Sequence, residues 1–207
     1  MLSCHAPDQS LRSELLSDMD QTQSTPLPPG PTMSAAAREV LLIASDEELL
    51  RHVEIEHTRT GGPGGQHRNK VESGVRMKHP PTGITVTATE RRSQHQNKAE
   101  AVGRMRAALA LGVRSPAVER DALPADLAAQ LGLLHWHRLS PHNPLFWRLA
   151  ARILDRLTAD QARLSDTARF LGVSTGTLAK FLSDDPALWQ AANRLRAVFG
   201  HGPLRAS

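Results

Sequence analysis

The run from Gly61 to Lys70 reads Gly-Gly-Pro-Gly-Gly-Gln-His-Arg-Asn-Lys and could do chemistry with its backbone as well as its side chains. Glycine and proline make up half of it, so it can hold neither a helix nor a regular strand ladder. Gly64 and Gly65 allow positive φ and a close approach of the main chain to a partner. Gln66 then presents an amide donor and a carbonyl acceptor. The run predicts a loop that enters a narrow polyanionic cavity with main chain at its tip.

Positive charge is concentrated around this run. The whole chain has a net charge of +4, but residues 57–114 carry 11 basic and 3 acidic side chains, whereas residues 34–56 carry 2 and 6. A run of like charges is often only a solvated face of a protein. Its concentration around a flexible loop favours a phosphate backbone as the partner. The donors that immediately follow Gln66 are His67, Arg68, Asn69 and Lys70.

Several classes of protein are disfavoured by the composition. The single cysteine, Cys4, excludes an internal disulfide and a cysteine-based metal knuckle. The ten histidines fall in no recognised ligand spacing, so we expect neither a metal nor a cofactor. No apolar run approaches the ~18 residues that a membrane span requires. The acidic N-terminus is unlike a targeting presequence, and we expect a cytoplasmic monomer.

Elements on both sides of the run must position it. Apolar and charged residues alternate over 53–56, which predicts a strand entering the run, and again over 75–78 beyond it. The segment 80–83 has turn composition, and residues 84–89 alternate once more, so the two later strands form a predicted hairpin.

Two predicted helices accompany these strands. Ser45 can cap a short helix over residues 46–50, because acidic residues in a first turn suit the exposed N–H groups. Ser93 can cap a longer helix with an apolar stripe at spacings of three and four, formed by Ala99, Val102, Met105 and Leu109. Residues 34–111 are therefore predicted to form a small α+β domain with the basic loop projecting from one end.

The rest of the chain divides into three predicted segments. Residues 1–33, rich in Ser, Gln, Asp and Pro, are predicted to be a disordered tail. Residues 112–143 contain three prolines and are predicted to be a linker. Residues 144–207 are predicted to form a small all-α bundle, in which a glycine turn at 171–174 gives a helix-turn-helix-like pattern.

The segment from His57 to Leu111 resembles the catalytic domain of class I peptide chain release factors, above all their shorter relatives that rescue stalled ribosomes. The motifs that carry the resemblance are, in chain order, Gly64-Gly65-Gln66-His67, Asn69-Lys70, Glu72-Ser73, His79 with Pro81-Thr82-Gly83-Ile84, Glu90-Arg91-Arg92-Ser93-Gln94-His95 and Asn97-Lys98-Ala99. Several motifs in one order are far more specific than a lone Gly-Gly-Gln. The resemblance covers about a quarter of the chain.

The resemblance implies hydrolysis of the ester that joins a nascent peptide to the P-site tRNA in the large ribosomal subunit. It assigns the catalytic role to Gly64, Gly65 and Gln66. The backbone N–H of Gln66 would donate to the oxygen on which charge develops, and its side-chain amide would help to orient water. RNA would supply the remaining groups, so no protein base or metal is implied. Gln66 is also a candidate for methylation, with a glutamine methyltransferase as a candidate partner.

The resemblance also implies contacts with ribosomal RNA phosphates, which position a protein without reading sequence. The residues implied in these contacts are His67, Arg68, Asn69, Lys70, Arg91, Arg92, Ser93, Gln94, Asn97 and Lys98. The stretch around Ser93 also fits an ordinary capped and solvated helix start. Two positions depart from the family pattern: Arg68 stands where a small apolar residue is usual, and Pro63 replaces a commoner alanine.

Only about 23 residues separate Met33 from the resembling segment, too few for the stop-codon-reading domain of full release factors. We therefore expect codon-independent release of nascent chains from stalled ribosomes. Rescue hydrolases carry a lysine-rich C-terminal tail, whereas the C-terminal region here has a single lysine, Lys180.

Two other interpretations are compatible with the sequence. One is a non-catalytic ribosome-binding or RNA-binding module, against which the intact Gly64-Gly65-Gln66 motif argues. The other is a helix-turn-helix regulator that contacts nucleic acid through Arg169, Lys180, Arg194 and Arg196. Two neighbouring carboxylates, Asp184 and Asp185, argue against this second interpretation.

Overall fold

The computed structural model describes residues 30–58, 73–115, 125–132 and 136–205. The glycine-rich segment, residues 59–72, lies outside the described residues, and so does most of the predicted tail. The predicted site residues that fall in this segment are Gly64, Gly65, Gln66, His67, Arg68, Asn69 and Lys70. The described residues show how the chain is built on both sides of the segment.

Three antiparallel strands form one sheet in the order β1-β2-β3: β1 (Glu54–Thr58), β2 (Gly74–His79) and β3 (Ile84–Ala88). They confirm the three strands and the hairpin predicted from the alternating pattern. In the register between β1 and β2, Thr58 lies opposite Gly74. The two strands are therefore paired up to the residues that flank the glycine-rich segment.

Three helices accompany the sheet: α1 (Ala35–Ile43), α2 (Asp46–Leu50) and α3 (Gln94–Gly112). Ser45 caps α2 in a reciprocal capping box with Glu48, as the acidic first turn predicted. The Ser93 hydroxyl accepts from the Gln96 N–H and caps α3. The mixed helix and antiparallel sheet confirm the α+β class.

The first hydrophobic core lies between α3, the sheet and α1. Val75 and Met77 of β2 are fully buried there against Met105 and Leu109 of α3. The predicted stripe was wrong at its start, because Ala99 is exposed. The buried face of α3 begins instead with two other positions, Asn97 and Ala101.

Within the described residues, five further helices follow α3: α4 (Ala125–Gly132), α5 (Pro144–Ala159), α6 (Leu164–Phe170), α7 (Thr175–Ser183) and α8 (Pro186–Val198). A short 3-10 turn, Trp136–Arg138, precedes α5. Among the described residues, no helix combines the length and the apolar composition that crossing a membrane would require.

A second hydrophobic core is built from these later helices. Phe146 of α5 packs against Phe181 of α7, with ring centroids 5.1 Å apart. Leu127 and Leu139, from the stretch predicted as a linker, are buried in the same core. At the turn between α6 and α7, Gly172 has a φ of +67°, a conformation that glycine adopts without a steric penalty.

Helix α5 joins the two cores. Trp147 packs against both of them, and Ala151 is buried in the first. Residues 31–33, the end of the predicted tail, also belong to the fold: Thr32 forms a parallel bridge with Arg114, and the Met33 N–H donates to the Arg114 carbonyl at 3.3 Å.

Acidification is expected to weaken the fold through His79. Burial, and secondarily the charge of His52, lowers the pKa of His79 below its ordinary value of 6.5. The folded state then binds fewer protons than the unfolded state, so stability falls as the pH drops below about 6.5. His79→Asn, which can keep the bond to Thr82, should reduce this loss when urea unfolding is compared at about pH 7.5 and 5.5. An unchanged difference between these pH values would contradict the assignment to His79.

Candidate functional site

The glycine-rich segment starts and ends at adjacent positions of the sheet. Thr58, the last residue of β1, pairs with Gly74, the first residue of β2. Ser73 precedes Gly74 and is buried. We call these three residues the segment base. The pairing fixes the separation of the two chain ends, so the base is part of the rigid sheet.

Gly74 allows an unusually close approach of the two strands at the segment base. A Cβ atom at this position would lie 2.5 Å from Oγ1 and 2.8 Å from the carbonyl oxygen of Thr58, and 3.1 Å from Cγ2 of Thr89. The contact with the carbonyl involves backbone, so it cannot be relieved by a side-chain rotation. Only glycine fits this position without a shift of the strands.

Gly74→Ala is therefore expected to destabilise the fold by about 1–3 kcal/mol, the range for overpacking a close contact. Gly103→Ala is the matched control, because Gly103 lies inside α3 with no atom within 4 Å of the added Cβ. The control should stabilise the protein by about 0.5–1 kcal/mol. Urea unfolding of both variants tests the pair. Equal effects on the free energy of unfolding would show that the contact with Thr58 does not matter.

Asn97 connects the segment base to the turn before α3. The side chain is fully buried. Its Nδ2 donates to the Ser73 carbonyl at 2.6 Å and to the Arg91 carbonyl at 2.8 Å, and its Oδ1 accepts from the Arg91 N–H at 2.9 Å. The structure therefore corrects the prediction that Asn97 contacts RNA, because its side-chain amide is buried and hydrogen-bonded to backbone groups.

Gln94 makes a second connection, on the other side of the segment base. Its Nε2 donates to Nδ1 of His57 at 2.6 Å. His57 lies next to Thr58 in β1 and is exposed, as Gln94 is. Gln94 was expected in the RNA-contact set, and its amide here holds the strand that enters the glycine-rich segment. The contribution of His57 was missed, because a strand residue gives no sequence signal for a partner 37 positions away.

In the folded structure, acidic residues pair with many of the described basic side chains of residues 57–114. On the exposed face of the sheet, Arg76 and Lys78 of β2 lie 3.6 and 3.8 Å from the carboxylates of Glu56 and Glu54. Three further arginines pair in the same way: Arg91 with Glu100, Arg104 with Glu90, and Arg106 with Asp46. Among the described residues, the charge asymmetry along the sequence is therefore largely cancelled by ion pairing.

Two cations that neighbour Arg91 and Asn97 in the sequence remain unpaired within the described part of the chain. Arg92 lies in the turn before α3 and is exposed, and Lys98 lies in the first turns of α3 and is half-buried. Ser93, between the turn and the helix, is exposed but uses its hydroxyl as the helix cap. Of the predicted RNA-contact residues that the structure describes, Arg92 and Lys98 have the charged groups most available to a phosphate.

Two of the four basic residues considered in the later helices have partners. Arg169 lies 3.2 Å from the carboxylate of Asp166. Arg196 donates to the carbonyls of Ala162 and Gly202, at 2.9 and 2.8 Å. Of the four basic residues considered for a helix-turn-helix contact, Arg169 and Arg196 thus have partners, whereas Lys180 and Arg194 are exposed.

The described residues offer no centre for metal chemistry. Within the four described ranges, no three His, Cys, Asp or Glu side chains are placed to hold one metal ion. What the described site supplies is a rigid base, two polar connections from one turn of α3, and two free cations beside them. This arrangement can hold the two ends of the glycine-rich segment and offers charge to a polyanion.

Comparison with known proteins identifies the domain that contains the site. The RF-1 domain matches residues 47–129, which include the glycine-rich segment, its base and α3. Peptide chain release factor 1 of Dictyoglomus thermophilum is 52% identical over 59 residues, covering 28% of this chain and 16% of the relative. The protein of the same name from Acidiphilium cryptum is 49% identical over 74 residues, covering 36% of this chain and 20% of the relative.

Peptide chain release factor 2 of Kosmotoga olearia is 54% identical over 57 residues, covering 28% of this chain and 15% of the relative. The matches thus span at most a fifth of the length of these three relatives. The RF-1 match ends at residue 129, within α4. Residues 47–129 of this chain are therefore similar to the RF-1 domain and to part of the peptide chain release factors.

Proposed function

We propose that this protein hydrolyses the ester between a nascent peptide and the P-site tRNA on the ribosome. One observation carries the proposal: the Gly64-Gly65-Gln66 motif falls between the paired strand ends of an RF-1 domain. The relatives that share this domain are named peptide chain release factors. A segment anchored at both ends by a sheet can reach into a narrow cavity while its base stays outside.

The proposed mechanism relies on main chain and water. The Gln66 N–H donates to the carbonyl oxygen of the ester as negative charge develops on it, which is the action of an oxyanion site. Water attacks the carbonyl carbon, the bond to the tRNA oxygen breaks, and that oxygen receives a proton. The Gln66 side chain orients the water. Gly64 and Gly65 keep the backbone narrow enough to approach the ester.

We further propose that release does not depend on a stop codon. The RF-1 domain match covers residues 47–129. Beyond this domain, the described chain consists of α1 on one side and α5 to α8 on the other, and α5 packs against α1 and α3. These helices would contribute to recognition of a stalled ribosome in place of codon reading.

The direct test is peptide release from purified ribosomes that carry labelled peptidyl-tRNA. The A site would hold the truncated end of an mRNA, a sense codon or a stop codon. We expect release on truncated mRNA without a requirement for a stop codon. Binding to cognate ribosomes without release would refute the hydrolase and leave a docking module. Release only with a stop codon would refute codon independence while leaving the hydrolase intact.

The unpaired cations predict the docking surface. Charge reversal by Lys98→Glu is expected to raise the half-saturating concentration for release about tenfold or more, because a charge-assisted contact with phosphate is worth about 1.5–3 kcal/mol. It should also reduce the salt dependence of binding, since each lost phosphate contact lowers the slope by about 0.7–0.9. The maximal release rate should change little.

Lys180→Glu is the matched control, because Lys180 is an exposed lysine of α7 without a partner among the described residues. Measurement of binding at several salt concentrations compares the two variants. A larger effect on binding from Lys180→Glu than from Lys98→Glu would indicate that the phosphate contact lies in the later helices and not in the RF-1 domain.

A further inference from the structure

We propose that Asn97 and Gln94 are positioning residues that hold the two ends of the glycine-rich segment from one turn of α3. They are three positions apart, so their side chains leave neighbouring points of the helix surface. Gln94 contacts His57, in the strand that leads into the segment, and Asn97 contacts Ser73, the residue that follows the segment. The effect on release rests on the function proposed above, whereas the structural part does not.

On the exit side, the chemistry of the contact requires an amide. Ser73 and Arg91 each present a carbonyl oxygen, and Arg91 also presents an N–H. A buried asparagine supplies two donors and an acceptor, which satisfies all three backbone groups. Loss of the side chain would leave buried polar groups without partners, and the chain at Ser73 would shift to recover them.

On the entry side, the contact is exposed and therefore weaker. The Gln94 amide donates to Nδ1 of His57, so the imidazole carries its proton on Nε2 when it is neutral. Water can replace this bond at a surface position. We therefore expect Asn97 to contribute most of the positioning and Gln94 a smaller part.

The consequence for catalysis is one of geometry. A backbone donor acts on a reacting oxygen only when it lies at hydrogen-bond distance, and a displacement of about 1 Å can reduce the rate roughly 100-fold. Both ends of the segment are set by the sheet and by the first turns of α3. A shift at Ser73 would therefore be transmitted along the backbone toward Gln66.

The test measures the maximal release rate and the half-saturating concentration for Asn97→Ala, Asn97→Asp and Gln94→Ala. Asn97→Ala should lower the maximal rate on the order of 100-fold, with a small change in half-saturation. Gln94→Ala should lower it less. Asn193→Ala is the control, because Asn193 also holds a backbone N–H, that of Leu204 at 2.7 Å, within the later helices. It should leave the maximal rate unchanged.

Asn97→Asp adds a readout that a merely structural role would not produce. Its carboxylate would face the Ser73 carbonyl and repel it, whereas the protonated acid can donate to that oxygen. Burial raises the pKa of an introduced carboxyl group. Relative to wild type, release by this variant should therefore recover as the pH is lowered from about 8 to about 6.

Hydrogen exchange of residues 56–58 and 73–74 separates the two proposals. Faster exchange in Asn97→Ala than in Asn193→Ala supports the positioning role, whether or not the wild-type protein releases peptide. A wild-type protein that releases no peptide would refute only the hydrolase. An active wild type with equal maximal rates in Asn97→Ala and Asn193→Ala would overturn the positioning role. Equal exchange in these two variants would overturn it as well.

Discussion

Replacing Gln66 with proline is expected to lower the rate of peptide release at least about 100-fold, the range observed when one oxyanion donor is removed. Proline has no N–H, so the variant loses the main-chain donor proposed to stabilise charge on the ester carbonyl oxygen. Gln66→Ala keeps that N–H and loses only the side-chain amide, so its loss of rate should be smaller. The measurement is single-turnover release at saturating protein, which excludes effects on binding.

Arg68→Pro is the control for the backbone restriction that proline imposes. It places the same ring two positions further along the segment and removes a different N–H. Its maximal rate should fall far less than that of Gln66→Pro. Equal losses in the two proline variants would show that the segment as a whole, and no single donor, was disturbed. Full activity of Gln66→Pro would exclude its N–H from the chemistry.

Local rules were sufficient to predict the strands and helix caps. Val75 and Met77 alternate with charged residues, and a sheet that is buried on one face imposes that period. Ser45 and Ser93 precede helices because their hydroxyl groups bind N–H groups within the first turn. Both signals depend only on neighbours in the sequence, so they can be read without knowing which distant segments come together in the fold.

Contacts between distant residues could not be predicted in the same way. Asn97 stood in a basic motif and was expected at an RNA surface, but its amide is buried on the Ser73 carbonyl, 24 positions away. Arg76 and Lys78 contributed to the apparent basic surface, whereas β-sheet register places them opposite glutamates. Charge counted along a chain overestimates the surface charge when pairing partners lie in another segment.

The sequence motif gives the catalytic candidates, and the described structure shows the contacts made at the segment base. Gly74 carried a signal that could have been used, because a glycine at the start of an alternating strand often marks a close backbone approach. The contact between Gln94 and His57 had no such signal in the sequence. Side-chain contacts across 37 positions require the register of the sheet and the direction of α3 to be known first.

The largest effect on stability is expected from Asp155. Its carboxylate lies between Arg38 of α1 and Arg114, which follows α3, and all three residues are at most 5% exposed. Oδ1 accepts from Arg38 Nη1 at 3.1 Å and from Arg114 Nη1 at 3.2 Å, and Oδ2 accepts from Arg38 Nη2. Burial lowers the pKa of Arg114 to about 10 although Asp155 opposes this, so the guanidinium is charged at neutral pH.

Asp155→Ala is therefore expected to destabilise the protein by about 3–5 kcal/mol, because it leaves two buried cations without a counter-charge. Asp166→Ala is the matched control at the surface. Asp166 pairs with Arg163 and Arg169, whose side chains are 55 and 79% exposed, so its loss should cost at most about 1 kcal/mol. Urea unfolding compares the two variants, and similar effects would contradict a special role for the buried group.

A triple replacement separates the cost of the unpaired cations from any requirement for the ion pairs themselves. Replacing Asp155 with leucine and both Arg38 and Arg114 with methionine removes every charge while keeping the interior filled. Stability should return to within about 1–2 kcal/mol of wild type, since a buried ion pair is often no more stabilising than well-packed apolar groups. A triple variant as unstable as Asp155→Ala would show that the hydrogen bonds to Val113, Ala151 and Ser115 dominate. The side chains of Asp155 and Arg114 connect α5 to the RF-1 domain. If the triple variant is stable, its rate of peptide release would show whether these polar contacts are needed for function in addition to packing.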